Sequence, residues 1–199
     1  MRRLLIATNN PGKVRELRAL LDGLTLSLLT PNEAGLDLAV IEDGSTYVEN
    51  ASKKARVFAS ASGLPALADD SGLEVAVLDG APGLHSARYL GGHDATDSER
   101  RSFLLQNLKG KPLPWTAKFR CAVALATPDG RLQWAEGECG GEIVPEERGS
   151  EGFGYDPIFL VEGTGKTMAE LGMDEKNRLS HRAKAVMQAR HFLEVFLGA

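Results

Sequence analysis

A chain of 199 residues, 43% apolar and 25% charged, can bury one large core or two closely joined lobes. Its formal net charge of −4 excludes a broad electrostatic grip on polymeric nucleic acid, which needs a basic surface. A small anionic ligand held by a few focused cations stays compatible with that charge. No stretch approaches the ~20 apolar residues that span a bilayer, and the apolar run within MRRLLIAT is too short for a signal-peptide core. The expectation is a cytoplasmic protein with no membrane partner. Cys121 and Cys139 have neither metal-ligand spacing nor a disulfide framework, and read as buried thiols in a reducing compartment.

In chain order, Leu4–Thr8 reads as a buried strand, bounded by Asn9, Asn10, Pro11 and Gly12. Val14, Leu17, Leu20 and Leu21 follow at helical spacing, with Pro11 near the start, where its missing N–H costs least. A second strand is predicted at Leu24–Leu29, and a helix from Thr46 to Ser62 that Gly63 closes. PALADDSGLEVAVL reads as strand, polar turn, strand, and GAPGLHSARYLGG as a structured loop. Asp97 is expected to cap a helix running to about Leu108. WTAKFRCAVALAT and LQWAEGECGGEIV alternate as strands around Pro128-Asp129-Gly130 and predict a hairpin. GSEGFGYDPIFL enters a short strand, and Ser180–Leu197 is a closing amphipathic helix. Strands and helices are interleaved throughout, so the class is α/β, with an early strand–helix lobe and a second lobe formed around the hairpin.

Four polar clusters carry chemistry. The first is the strand-to-helix turn ATNNPGK, where free backbone N–H groups and the positive end of a helix converge and Lys13 adds a full charge. A purely structural turn has the same appearance, and no dinucleotide fingerprint is present. GTGKT at Gly163–Thr167 is not a Walker loop, because position 160 is Leu where that motif requires glycine. The second cluster is LADDSG, in which Asp69 and Asp70 lie beside an apolar strand. Adjacent acids there are costly unless solvated, capped or bound to a cation. Glu42 and Glu49 are acids that could join them, and an all-oxygen donor set favours Mg²⁺.

The third cluster is GFGYDP, whose glycines let Phe153 or Tyr155 stand clear of the backbone for a base to stack, with Asp156 beside them. An aromatic plugging the loop into a core fits equally. The fourth is EKNRLSHRAKA, which gathers Lys176, His181 and Arg182 near the start of the last helix, with Ser180 as its N-cap. Basic groups in a first turn oppose the helix dipole, so an acceptor-rich partner such as a purine O6 or N7 edge would suit them.

These stretches, with TYVENASKKA, DGAPGLHSARY and GKTMAEL, resemble the Ham1/RdgB family of inosine and xanthosine triphosphate pyrophosphatases from end to end. The resemblance implies a single domain over residues 1–199 and an elongated central mixed sheet with two lobes flanked by helices and an intervening nucleotide cleft. It also implies a homodimer and Mg²⁺-dependent cleavage of ITP, dITP or XTP to the monophosphate and pyrophosphate. Carried over by motif, Thr8, Asn9, Asn10, Pro11, Gly12, Lys13 and Lys54 would bind the triphosphate. Asp70 would be the general base beside Asp69, and Glu42 with Asp70 would hold Mg²⁺. Ser71 would touch substrate, Phe153 with Gly154 and Tyr155 would form the base platform, and Asp156, Lys176, His181 and Arg182 would read the base edge. Asn9 departs from the glycine common in the family, but asparagine also accepts positive φ. Two other readings are a Maf-like pyrophosphatase for modified pyrimidine nucleotides and a nucleotide sensor without turnover.

Overall fold

A computed structural model describes residues 2–91 and 95–197 and divides the chain into two units. The first holds the residues up to Asp70, Cys121–Gly137 and the chain from Arg182 onward; the second holds Ser71–Arg120 and Glu138–His181. Six strands hydrogen-bond in the order β2-β1-β3-β4-β5-β6, a mixed sheet accompanied by helices, as the α/β reading expects.

In the first unit, β1 (Arg2–Ile6) lies parallel to β2 (Leu26–Leu29) and to β3 (Ala66–Val75). The register pairs Ile6 with Leu67, and the Ala7 N–H donates to Leu67 O at 2.8 Å. The turn that leaves β1 therefore runs beside the stretch of β3 that carries Asp69, at the carboxyl ends of parallel strands where α/β sheets bind ligands. That turn leads into α1 (Pro11–Leu20), which starts on Pro11 as predicted, with Asn10 as N-cap accepting the Lys13 N–H at 3.1 Å. α2 (Tyr47–Ser62) begins at Thr46, whose side chain accepts the Glu49 N–H, and ends at Gly63 with φ 64°, the left-handed conformation that glycine takes without strain. Leu4, Ile6, Leu17, Leu67, Val123 and Val186 form the core of this unit, closed by α5 (His181–Leu197).

β4 (Trp115–Ala126) and β5 (Leu132–Ile143) form the predicted hairpin, its turn closed by Thr127 N–H to Arg131 O at 3.0 Å. In the second unit, β6 (Phe159–Val161) pairs antiparallel with β5, and α3 (Asp97–Leu108) and α4 (Met173–Leu179) complete the elements. The core here is Leu73, Leu104, Phe119, Ile158, Phe159 and Met168. The loop read at residues 80–92 contains a 3₁₀ segment, Gly83–Arg88, in which Ser86 Oγ accepts the Leu73 N–H and donates to Gly83 O; Gly92 lies outside the described residues.

Three sequence expectations change. The polar turn expected at Asp69-Asp70-Ser71 is absent, and β3 runs unbroken through it. Carboxylates are costly in a buried strand only while unpartnered, and here both acids have partners. Thr96, not Asp97, caps α3, in a capping box with Glu99, which leaves the Asp97 carboxylate for other work. The basic cluster before the last helix includes a short helix of its own, α4, that ends where Ser180 turns extended.

Candidate active site

Strand geometry sends successive side chains to opposite sides, and this separates the two neighbouring acids of β3. Asp69 is wholly buried. Its Oδ2 lies 3.0 Å from Lys13 Nζ and accepts from Arg182 Nε at 3.0 Å, while its Oδ1 has no hydrogen-bond partner. Arg182 Nη1 donates in turn to Glu16, so Glu16, Arg182, Asp69 and Lys13 form a buried chain of alternating charge. Burial opposes ionisation of Asp69, but Lys13, Arg182 and Lys54 outweigh it and hold the carboxyl below its usual range.

Asp70 accepts from Asn50 Nδ2 at 2.9 Å. Burial raises its affinity for a proton, Lys13 and Lys54 oppose the shift, and the net direction is upward. Two adjacent carboxylates thus differ in environment: Asp69 is held as an anion by cations, and burial shifts Asp70 toward its protonated form.

Helix α2 organises the rest of this cluster. Asn50 is 1% exposed; as well as donating to Asp70 it accepts the Gly44 N–H at 2.8 Å. Gly44 admits no side chain, since a Cβ there would sit 2.7 Å from Asn50 Oδ1. One turn on, Lys54 Nζ donates to Glu42 at 2.5 Å, and Lys53 pairs with Asp43 at 2.6 Å. Burial resists the charge on Lys54, but the carboxylates of Asp69 and Glu42 hold its pKa above the ordinary value. Glu49, weighed as a further site acid, instead accepts from Ser45 N–H and Oγ at the helix start.

In the turn itself, Asn10 N–H donates to Thr8 Oγ1 at 3.1 Å, and Asn9 Oδ1 accepts the Asn32 N–H at 3.3 Å. Asn9, Asn10 and Pro11 are exposed and Gly12 is buried. The helix opens with no acidic residue in its first turn, so its positive end meets no internal counter-charge apart from the cap.

The second unit holds the other predicted residues. Asp156 Oδ2 accepts the Phe153 N–H at 3.0 Å and Lys176 Nζ at 2.6 Å, and both charged side chains are almost fully buried. Gly152 makes this possible: a Cβ there would meet Asp156 Oδ2 at 2.0 Å, at a φ of 80°. The Lys176 ammonium also stands 5.5 Å from the centre of the half-buried Phe153 ring. Gly154 is pinned from both ends, its N–H donating to Asp97 Oδ2 at 2.7 Å and its carbonyl accepting from Arg101 at 2.8 Å. His181 stacks on Phe119 at 4.7 Å between ring centres. Ser71 continues β3, half-buried.

Two sequence expectations meet a different environment. The Tyr155 ring belongs to the core of the second unit and its hydroxyl donates to Ser86 O at 2.9 Å, which makes it the plug, whereas Phe153 stays half-buried. Arg182, read beside His181 at the base edge, is 1% exposed, with its guanidinium engaged by Glu16 and Asp69 in the first unit. Sequence reasoning missed Glu16, Asn50 and the role of Asp97. The signal for the first two was legible: each is a polar residue on the apolar face of its helix, beside Leu17 and Leu20 for Glu16, and beside Tyr47 and Ala51 for Asn50.

Asn50→Leu should cost about 1–3 kcal/mol, since the buried Asp70 carboxylate loses a donor and the part-buried Gly44 N–H loses its acceptor. Urea unfolding measures this, and a change below about 0.5 kcal/mol, the scatter of ordinary surface substitutions, would show the amide idle.

Among the described residues no cluster of three or more His, Cys, Asp or Glu is preassembled for a metal. Glu42 raises the proton affinity of Asp70, so the two carboxylates share one field. Such a pair fits Mg²⁺, which binds through one or two carboxylates and completes its shell with water and substrate phosphates. It does not fit a zinc site, which needs nitrogen or sulfur ligands.

A model of the Ham1 family matches residues 4–192. The chain is 50% identical over 187 residues to a Geobacter sulfurreducens protein named dITP/XTP pyrophosphatase, covering 94% of each. A Thermus thermophilus protein of the same name is 49% identical over 98% of this chain and 91% of its own. Among solved structures, a HAM1 protein from Coxiella burnetii superposes with a TM-score of 0.86 at 42% identity, covering 97% of this chain and 98% of that one.

Proposed function

Since this chain belongs to the Ham1 family, we propose that it hydrolyses noncanonical purine nucleoside triphosphates (ITP, dITP and XTP) to the monophosphate and pyrophosphate. The observation that carries this reading is a pair of neighbouring acids with different partners, Asp69 on Lys13 and Arg182 and Asp70 on Asn50, whose proton affinities are shifted in opposite directions beside a cationic strand-to-helix turn.

In the proposed reaction, the N–H groups of the turn at Thr8–Lys13 and the ammonium groups of Lys13 and Lys54 bind the triphosphate. Asp70 takes the proton as water forms a bond to phosphorus and the α–β anhydride bond breaks, with pyrophosphate leaving. Its raised proton affinity suits that task better than the chemistry of Asp69, which stays ionised and fixes Lys13. Glu42 and Asp70 would hold Mg²⁺, which when bound supplies positive charge against the phosphate oxygens.

Within the second unit, Phe153 offers a stacking face for a purine base, and Lys176 and His181 offer donors, with Asp156 orienting Lys176. Hypoxanthine and xanthine present O6 as an acceptor. Adenine presents an amino group, and each buried donor left without an acceptor costs about 1–3 kcal/mol.

The test is pyrophosphate release from ITP, dITP and XTP against ATP and GTP, with and without EDTA. The expected result is a preference of at least about 30-fold for the noncanonical nucleotides over ATP, the lower end of two such penalties combined, with turnover abolished by EDTA. Equal turnover of all five would defeat the specificity, and ITP left intact with Mg²⁺ would favour a sensor.

A further inference from the structure

We propose that the Glu42–Lys54 ion pair is a latch that couples metal binding to triphosphate binding, each ligand releasing the side chain that the other needs. The proposal rests on reading this cluster as a Mg²⁺–triphosphate site, and its test is arranged so that the two stand or fall separately.

The geometry carries the inference. Lys54 is fixed on α2, one turn beyond Asn50, with its side chain 12% exposed. Glu42 belongs to a segment without regular structure, 36–45, and is held over the helix by Lys54. The neighbouring Asp43–Lys53 pair and the Gly44–Asn50 bond seat the same segment on the same helix, so Glu42 arrives there by design of the loop and not by the chance reach of one long side chain.

A triphosphate that arrives without metal finds Lys54 already neutralised. Pulling the ammonium away would leave the Glu42 carboxylate facing phosphate oxygens. A divalent cation that arrives alone finds the same carboxylate occupied by an ammonium, and displacing Lys54 would put two positive charges side by side. When both arrive, the charges exchange partners: the metal takes Glu42 and the phosphates take Lys54. No covalent bond changes and the total charge is conserved. Coupling of this kind is reciprocal and falls typically between about 5-fold and 150-fold in affinity.

The experiment is a calorimetric double-mutant cycle with inorganic tripolyphosphate in EDTA. Glu42→Gln should bind metal-free tripolyphosphate at least about 5-fold tighter than wild type, the lower end of such couplings. Lys54→Met should bind it as weakly as wild type, and the gain should vanish in the double variant. Asp43→Asn, which removes the same charge one residue away, should change affinity less than about 2-fold if the effect is the freeing of Lys54 and not bulk electrostatics. In the reciprocal arm, Mn²⁺ titrated into the nucleotide-free protein should bind Lys54→Met several-fold tighter than wild type.

An unchanged Glu42→Gln affinity, an equal gain in Asp43→Asn, or a gain that survives Lys54→Met overturns the latch. Should Glu42→Gln fail to fold, the Mn²⁺ arm decides alone: tighter binding supports the latch and unchanged binding overturns it. Wild type that binds tripolyphosphate neither with nor without Mg²⁺ would instead overturn the site reading itself.

Discussion

Asp70→Asn should lose turnover by about 10²–10⁴-fold, the usual contribution of a positioned base, and yet raise the thermal midpoint of the metal-free protein by a few degrees. Asp70 is 7% exposed, and burial pushes its folded pKa above the ordinary value of 3.8. A group shifted in that direction stabilises the fold fully only below its unfolded pKa, and that contribution is lost as pH rises through the folded value. Above that folded pKa the wild-type protein therefore carries an ionised carboxylate that the fold disfavours. The amide removes that charge, and its oxygen still accepts from Asn50. The difference in stability between variant and wild type should accordingly close as pH falls from the folded pKa toward 3.8. Thermal scans across that range measure it, together with single-turnover assays on ITP. A variant that is inactive but less stable than wild type at neutral pH would contradict the burial argument, and an active one would remove Asp70 from its role.

Arg182→Met should destabilise the protein by about 3–5 kcal/mol, because it strands Glu16 and Asp69 as buried carboxylates with one fewer cation between them. For a chain of this size the thermal midpoint would fall by about 6–20 °C. The sign of the pH effect is opposite to that of Asp70. Asp69 has a depressed pKa, so its contribution is present above the unfolded value and is lost as pH falls toward the folded one. In Arg182→Met part of that depression disappears, and the loss of stability on acidification should be shallower than in wild type. Glu16→Gln added to Arg182→Met should recover part of the loss by neutralising one stranded acid. A cost below about 1 kcal/mol for Arg182→Met, with no recovery, would mean that the chain of charges is solvated and does not behave as a buried network.

The two acids at positions 69 and 70 mark the boundary of what could be read from the chain. Local patterning shows that both stand beside an apolar strand, and that such a pair requires partners. It cannot show that β3 stays straight through them, because the partners that make this possible come from elsewhere: Asn50 lies 20 residues away and Arg182 lies 113 residues away. The same limit explains why the sequence suggests a polar turn in this stretch, since solvation, capping and a bound cation all suit adjacent acids equally until their partners are known. Tyr155 and Phe153 differ in the same way. Their spacing in GFGYDP treats the two rings alike, and only the fold shows Tyr155 bonded to Ser86 in the core while Phe153 stays half-buried.

The early strand–helix alternation, the β4–β5 hairpin, the start of α1 at Pro11, the stop at Gly63 and the family were determined by the sequence itself, since each follows from hydrophobic period, turn chemistry or motif within a short window. Only the tertiary structure decided which acid is locked and which can take a proton, and that Arg182 goes to Glu16 and Asp69. It also decided that Glu42 rests on Lys54. These are differences in burial and in charge partners, and such differences are properties of positions brought together by the fold; the identity of a residue alone does not contain them.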